Sequence, residues 1–390
     1  MLNCPITKEG MRIFTECRQC ILDSNDDPAL ELYERGLCQH CRKFEADKRI
    51  FVREGEEGER MLADAVQRMK EEGTGKPYDC LIGVSGGVDS SYVAYMAHKL
   101  GLRALCVHFD NGWNSELAVK NIETMVARLG FDLYTYVIDW QEFRDLQLAY
   151  LRASVVDIEV LTDHAIYGST FRIAKERQIK YVIGGNNVAT EGVLPYHWTY
   201  NKKDHVNIRA IHKAFGQGKI KSYPFLDRKM KKFIAGSGVT FINYLNWMPY
   251  EKNEVKRTLI RDLEWRDYGG KHYESIWTRF YQGYILPEKF GIDKRKAHFS
   301  SLICAGQMTR EQALEEMKQP AYNPALLRED RAFVLKKLGL SDEAFEEIMR
   351  LPVRDHRSFD TEGSVFHDFP VLQPLRPLWE GFKRWTGWRR

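Results

Sequence analysis

One stretch restricts what this chain can fold into more than any other: Leu81-Ile82-Gly83-Val84-Ser85-Gly86-Gly87-Val88-Asp89-Ser90-Ser91. An apolar run of strand length breaks at Ser-Gly-Gly, and a helical pattern begins at about Val88. Backbone N–H groups can approach an anion closely only where no Cβ intervenes. The helix N-terminus that follows adds partial positive charge. Ser85, Ser90 and Ser91 carry hydroxyls that can serve the same anion, so Ser85 through Ser91, with Gly86, Gly87 and Val88 among them, form a candidate phosphate loop. Asp89 would repel a phosphate unless a divalent cation such as Mg²⁺ bridged the two. Two commoner nucleotide signatures are missing: there is no GxxxxGK[ST], and no GxGxxG follows a strand. A plain Gly-Gly helix cap needs only part of this pattern.

The loop sits in a repeating context. Strand-length apolar runs at 79–84, 103–109, 133–139, 180–185 and 239–245 alternate with helical stretches at 88–100 and 115–130 and with two more ending near 178. A further helix is expected over 59–72. This alternation predicts an α/β fold, an open parallel sheet with helices on both faces and right-handed crossovers. Beyond about 250 the pattern is helical: 251–264, 273–285, 309–318, 329–338 and 341–350, broken by Gly, Pro and Asn. Residues 1–50 are short, polar and turn-rich. The expected organisation is a metal module at 1–50, the α/β domain at 51–248 and a helical substrate or partner domain at 249–390.

That first stretch holds Cys17-Arg-Gln-Cys20 and Cys38-Gln-His-Cys41, spaced C-x₂-C-x₁₇-C-x₂-C. The spacing suits a tetrahedral thiolate Zn²⁺ site of zinc-ribbon type, with Gly36 shaping the second knuckle. About 50 residues cannot fold on their own core, so such a zinc would be structural. A redox dithiol and an iron–sulfur cluster are the competing readings. Cys80 and Cys106 lie in or beside strands and are expected to pack as small apolar groups.

Ser-Gly-Gly-Val-Asp-Ser-Ser resembles the PP-loop ATP-pyrophosphatases, whose adenine nucleotide alpha-hydrolase-like fold cleaves ATP to AMP and pyrophosphate. In an open parallel sheet, ligands sit beyond the carboxyl ends of the strands at the switch point. The resemblance therefore implies that residues from His108 to Gly112, Asp110 included, hold the adenosine. It also implies that Gly184, Gly185, Asn186 and Asn187 flank the nucleotide or the oxygen being activated.

A closer resemblance rests on the cysteine pairs, SGGVDSS, DNGWNSELAVKNIE (110–123), NIRAIHKAFG (207–216) and WRDYGGKHYESIWTRFYQGYILPEKFGIDKRKAHFSSLICAGQMTREQAL (265–314). Together these are similar to the N-acetyl sugar amidotransferases of bacterial lipopolysaccharide O-antigen biosynthesis. Membership would imply that an acetamido group on a nucleotide-linked sugar, a UDP-diacetamido-uronic acid, becomes an acetamidine through an adenylylated imidate. It would imply ATP, Mg²⁺ and Zn²⁺. Ammonia would come from a separate glutaminase with a barrel-type channelling subunit, both resembling those of imidazole glycerol phosphate synthase. No glutaminase machinery is recognisable in the chain itself.

Residues suited to the diphosphate and carboxylate of such a substrate are Lys202, Lys203, Arg209, Lys213, Lys294 and Arg295, with Asn187 beside them. Gly269-Gly270-Lys271-His272 suggests close backbone approach to a ligand, and Arg279 falls two turns on. Lys271, His272 and Arg279 are thus candidate catalytic groups with Asp89. Aromatics at Trp247, Tyr250, Trp265, Tyr268, Tyr273 and Trp277 either stack on a base or sugar or pack a core. The Trp- and Arg-rich end, 376–390, is either a docked helix or a surface for a partner or an anionic membrane.

Charge and targeting narrow the field. Lys+Arg is 58 against Asp+Glu 54, a net +4, too balanced for a nucleic-acid coat. This weighs against the competing reading, a tRNA-thiolating PP-loop enzyme. A catalytically dead scaffold would not need Asp89. No run reaches the roughly 18 apolar residues of a membrane span, and the N-terminus lacks the apolar core of a signal peptide, so a cytoplasmic protein is expected.

Overall fold

The computed structural model describes residues 14–269 and 273–363. Its centre is a five-stranded, wholly parallel sheet: β1 Cys80–Gly83, β2 Ala104–Asp110, β3 Asp132–Val137, β4 Tyr181–Ile183 and β5 Thr240–Ile242, in the order β3-β2-β1-β4-β5. β1 and β2 are buried on both faces, which explains why they read as unbroken apolar runs. β3 lies at the edge, and most of its side chains are exposed or half-exposed.

The period of two along the central strands assigns each face its partners. Cys80, Ile82, Ala104 and Cys106 point to the helices Gly55–Glu72, Val88–Lys99, Glu116–Leu129 and Lys252–Leu263. Leu81, Leu105 and Val107 point the other way, to Ile173 and Ala174 of helix Val160–Glu176. Cys80 and Cys106 are fully buried as expected, and burial pushes the Cys106 thiol up to about 12.

Chain order places β2 and β3 on one side of β1, and β4 and β5 on the other. The switch point, and with it the crevice for ligands, therefore opens between the carboxyl ends of β1 and β4.

Several elements differ from the sequence expectation. The apolar run 239–245 is a strand only to Ile242. Tyr244–Trp247 turns into a 3₁₀ helix, and Tyr244 is drawn under helix Val88–Lys99, where its hydroxyl donates to the Val93 carbonyl. The turn-rich first stretch contains a full helix, Gln39–Phe51, that starts at Cys38. Helices His205–Phe215, Arg228–Ser237 and Lys294–Cys304 were not anticipated. Each begins on an aspartate cap, Asp204, Asp227 or Asp293. The helix expected over 273–285 begins at Ile276 and widens to π winding over Tyr281–Phe290, where Pro287 lacks an N–H for the usual ladder.

The helix-rich C-terminal region and the cysteine knuckles share one core. Phe44, Trp113, Trp198, Trp277, Phe280 and Phe345 belong to the same buried cluster as Cys17, Cys20, Cys38 and Cys41. Among the described residues, no helix is long and apolar enough to cross a membrane.

Candidate active site

β1 ends at Gly83, and helix Val88–Lys99 begins after Gly87 with no side-chain cap. Gly86 sits at φ +80, and a Cβ there would lie 2.6 Å from the Ala118 carbonyl oxygen. Only glycine fits this turn. The loop's N–H groups are held by hydroxyls at the long end of hydrogen-bond range. Ser85 N–H donates to Ser90 Oγ at 3.2 Å, Gly87 N–H to Ser85 Oγ at 3.2 Å, and Val88 N–H to the Tyr268 hydroxyl at 3.3 Å. An anion could displace such partners with little loss. Ser91 Oγ is buried with no hydrogen-bond partner among the described residues.

Asp89, on the first turn of the helix, faces β4. Its Oδ1 accepts from the Tyr250 hydroxyl and from Asn187 Nδ2, the latter at 3.3 Å. Burial and the Asp89 charge push the Tyr250 phenol well above its ordinary value, so it remains a donor. Asn187 is buried. Its Oδ1 caps the short helix Val188–Glu191 through Thr190 N–H at 3.0 Å, and its Nδ2 also donates to the Gly185 carbonyl. Gly185 packs on the same corner, since a Cβ there would be 3.3 Å from Asp89. Gly184 approaches Asn243 in the same way, and Asn186 is exposed. The structure thus joins the β1 loop and the β4 turn through Asp89.

At the end of β2, Asp110 Oδ1 accepts from Gly112 N–H at 2.8 Å, and His108 donates from Nδ1 to the Val84 carbonyl at 3.2 Å and accepts at Nε2 from Asn114 Nδ2 at 3.2 Å. Gly112, at φ +78, is roofed by Lys337, which hydrogen-bonds its carbonyl and lies 5.0 Å over the Trp113 ring.

A segment from the C-terminal half straps the loop. Trp265 Nε1 donates to the Gly86 carbonyl at 2.9 Å, and Tyr268 meets Val88. A Glu274 oxygen lies 3.4 Å from where a Gly87 Cβ would stand. Ser115 N–H donates to Glu274 O at 2.8 Å, and Ile276 N–H to Trp113 O at 2.8 Å. The strap is also pinned by the Asn121 amide, which bonds both the Arg266 carbonyl and its N–H. Burial and Glu274 raise the Tyr268 phenol. Tyr250, Trp265 and Tyr268 appear in the sequence only as members of an aromatic cluster, and Glu274 only at the end of the Gly-Gly-Lys-His block. Nothing local says which of them touch the loop.

The expected cations are mostly engaged elsewhere. Lys202 is held by Asp157 at 2.7 Å and Asp163 at 3.1 Å. Lys294 pairs with Glu159 at 3.8 Å, and Arg295 with Asp293 at 2.7 Å. Arg209 stacks on Phe225 at 3.7 Å, Lys203 lies 5.3 Å over Tyr167, and Lys213 is exposed. Arg279 forks onto Asp330, which also accepts from Tyr322, so its guanidinium has a structural partner. Lys271 and His272 lie outside the described residues, as does 376–390.

The four knuckle sulfurs converge. Cys17–Cys41, Cys20–Cys38 and Cys38–Cys41 are each 3.7 Å apart, and all ligand atoms lie within 4.8 Å of one another. A tetrahedral ion with bonds of about 2.3 Å requires sulfur spacings of about 3.8 Å, so the donor set fits zinc. Gly36, at φ +73, turns the second knuckle against Arg18. Cys304 stands 3.6 Å from Cys41 as a fifth thiol.

Residues 57–201 match the asparagine synthase family model, and residues 274–373 match the model described as LPS biosynthesis protein WbpG-like, C-terminal domain. A curated relative, tRNA(Ile)-lysidine synthase of Chlamydia pneumoniae, is 38% identical over 71 residues, 17% of this chain. The match spans only 22% of that relative's length. Among solved structures, an NMN synthetase from Francisella tularensis aligns at TM-score 0.36 and 15% identity over 73% of this chain and 97% of its own. An NH3-dependent NAD synthetase from Campylobacter jejuni aligns at TM-score 0.29 and 12% identity over 76% of this chain and 98% of its own. A PP-loop ATP-pyrophosphatase domain, matching the asparagine synthase family over residues 57–201, is thus joined in this chain to a domain like the C-terminal domain of the WbpG-like lipopolysaccharide-biosynthesis proteins.

Proposed function

We propose that the protein converts an acetamido group of a nucleotide-linked sugar, a UDP-diacetamido-uronic acid, into an acetamidine, with ammonia supplied by a separate glutaminase and its barrel-type companion. The observation that carries this reading is the strap. Trp265 and Tyr268 on one side, and Glu274 and Ile276 at the start of the part that matches the WbpG-like model, close over the phosphate loop and its neighbours. An acceptor held by that region would meet ATP at its α-phosphorus.

An amide carbon is a poor electrophile. Its carbonyl oxygen attacks the α-phosphorus, the bond to the β-phosphate bridge breaks, and pyrophosphate leaves with the amide proton. The O-adenylyl imidate so formed then takes ammonia. A C–N bond forms, the C–O bond breaks and AMP departs; two of the ammonia protons stay on the new nitrogen and the third moves to the former amide nitrogen, giving the amidinium. The chain's own work is positioning and charge stabilisation. The N–H groups of Ser85, Gly87 and Val88 donate to phosphate oxygens once their hydroxyl partners swing away. The Tyr250 and Asn187 donors hold the Asp89 carboxylate in place to carry Mg²⁺, which would neutralise the departing pyrophosphate. The knuckle zinc is structural in this scheme.

Substrate-driven ATP–pyrophosphate exchange tests the reading. A UDP-diacetamido-uronic acid should trigger exchange and bulk tRNA should not. Release of ADP and orthophosphate, or exchange driven by tRNA, would overturn it. The chain alone should leave glutamine intact yet accept ammonium salts.

A further inference from the structure

A cleft of about 440 Å³ lies on the far side of the Asp89 corner. Its inner wall is Asn187 and Tyr250, the two residues that hold the Asp89 carboxylate. Its outer walls come from three remote parts of the chain: Phe44 and Lys48 of the knuckle helix Gln39–Phe51, Thr258 of helix Lys252–Leu263, and Gln307 beyond helix Lys294–Cys304. Gln307 fixes the Tyr250 segment by donating to its carbonyl at 2.7 Å.

The charged groups on this lining are Lys48 against Glu54, Glu251 and Glu254. Glu251 caps its helix, and Glu254 pairs with Arg257 at the surface. With Arg257 counted beside Lys48, three carboxylates still outnumber two cations, so the cleft is a poor host for a nucleotide diphosphate and a better one for a small cation. Its inner end is one residue removed from the carboxylate on the phosphate loop.

We infer that this cleft is the port through which ammonium enters the site, the acidic mouth collecting it and the Tyr250–Asn187 wall passing ammonia towards the activated carbon. The inference rests on the amination reading above. Ammonium releases its proton to solvent at the mouth, and the neutral molecule, with its lone pair free, crosses the partly apolar interior. Free ammonium and ammonia released by a glutaminase would use the same inner passage.

Two variants of the full chain test the port. Thr258→Trp fills the cleft from a half-buried helix position. The paired surface change Glu54→Lys with Glu254→Lys inverts the charge of the mouth without touching a core. Turnover is measured against ammonium chloride at constant ionic strength, beside ATP–pyrophosphate exchange without ammonium. Both variants should raise the KM for ammonium about tenfold or more, and Thr258→Trp should exclude methylammonium altogether, while exchange stays within about twofold of the parent. Exchange intact with an unchanged ammonium KM in both variants would overturn the port alone. Absence of acceptor-driven exchange in the parent would overturn the amination reading and the port with it.

Discussion

Asp89 is the residue on which the site turns, and its surroundings say how. A carboxylate next to a phosphate loop is repulsive unless a cation intervenes, and here the Tyr250 hydroxyl and the Asn187 amide both donate to its Oδ1 and fix its orientation. Asp89→Ala should lower exchange by about 10²-fold or more, because the positioned charge is lost. Tyr250→Phe keeps the ring and the carboxylate but removes one donor. It should cost about tenfold in exchange, the equivalent of about 1.4 kcal/mol, with the melting temperature little changed. Equal exchange rates for Tyr250→Phe and the parent would mean that the carboxylate is oriented without the Tyr250 hydroxyl. Gly86→Ala differs in kind. At φ +80, with a carbonyl oxygen 2.6 Å from the new Cβ, the loop itself must move, so stability and exchange should fall together.

At the scale of elements, the phosphate loop is legible in the sequence and its roof is not. Ser-Gly-Gly between a strand and a helix encodes its own geometry, because the requirement for an absent Cβ is local. Trp265, Tyr268 and Glu274 reach the loop from nearly 180 residues away, Val88 to Tyr268 being a separation of 180, and no local pattern encodes such a contact. The parallel sheet was readable because β1 and β2 are buried on both faces. The unanticipated helices His205–Phe215, Arg228–Ser237 and Lys294–Cys304 carry readable Asp caps, yet their charged faces resemble solvent loops or ligand clusters. Lys202 and Arg279 show the same confusion: one reads as a substrate cation and the other as a catalytic one, and each is held by a buried carboxylate, Asp157 or Asp330. The knuckles were fully legible in spacing, but the helix that grows from Cys38 and the nearness of Cys304 were not. Since these sulfurs sit in the same core as the C-terminal aromatics, Cys38→Ser should do more than unravel a tag. It should drop bound zinc from about one per chain to near zero and lower the melting temperature by several degrees. Metal analysis and calorimetry on the same sample would check both, and a zinc-free parent with an unaltered melting temperature would contradict a structural role.

For the molecule as a whole, two buried histidines give it a definite response to acid. His164 donates from Nδ1 to the Lys202 carbonyl at 2.8 Å and accepts at Nε2 from Leu226 N–H at 2.9 Å. His356 is arranged the same way, with Nδ1 on Asn207 Oδ1 at 2.9 Å and Nε2 accepting from Asp157 N–H at 3.4 Å, its ring stacked 4.1 Å from Tyr200. Each ring must be neutral, because a proton on Nε2 would face a backbone donor. Burial pushes both from the ordinary 6.5 down to about 4. The unfolded chain therefore binds protons that the folded chain refuses between about pH 6.5 and 4. Stability is complete above pH 6.5, falls as the pH drops through that window, and loses nothing further from these groups below it. Each histidine contributes at most about 3 kcal/mol to that loss. Because His356 ties the C-terminal segment to helix His205–Phe215 through Asn207, the loss should be felt across the whole fold rather than at a frayed end. Denaturant unfolding at pH 7 and pH 5 should show a lower midpoint at pH 5. His164→Gln and His356→Gln should each be less stable at pH 7 yet flatter between the two pH values. A slope with pH unchanged in both variants would assign the acid response to other groups.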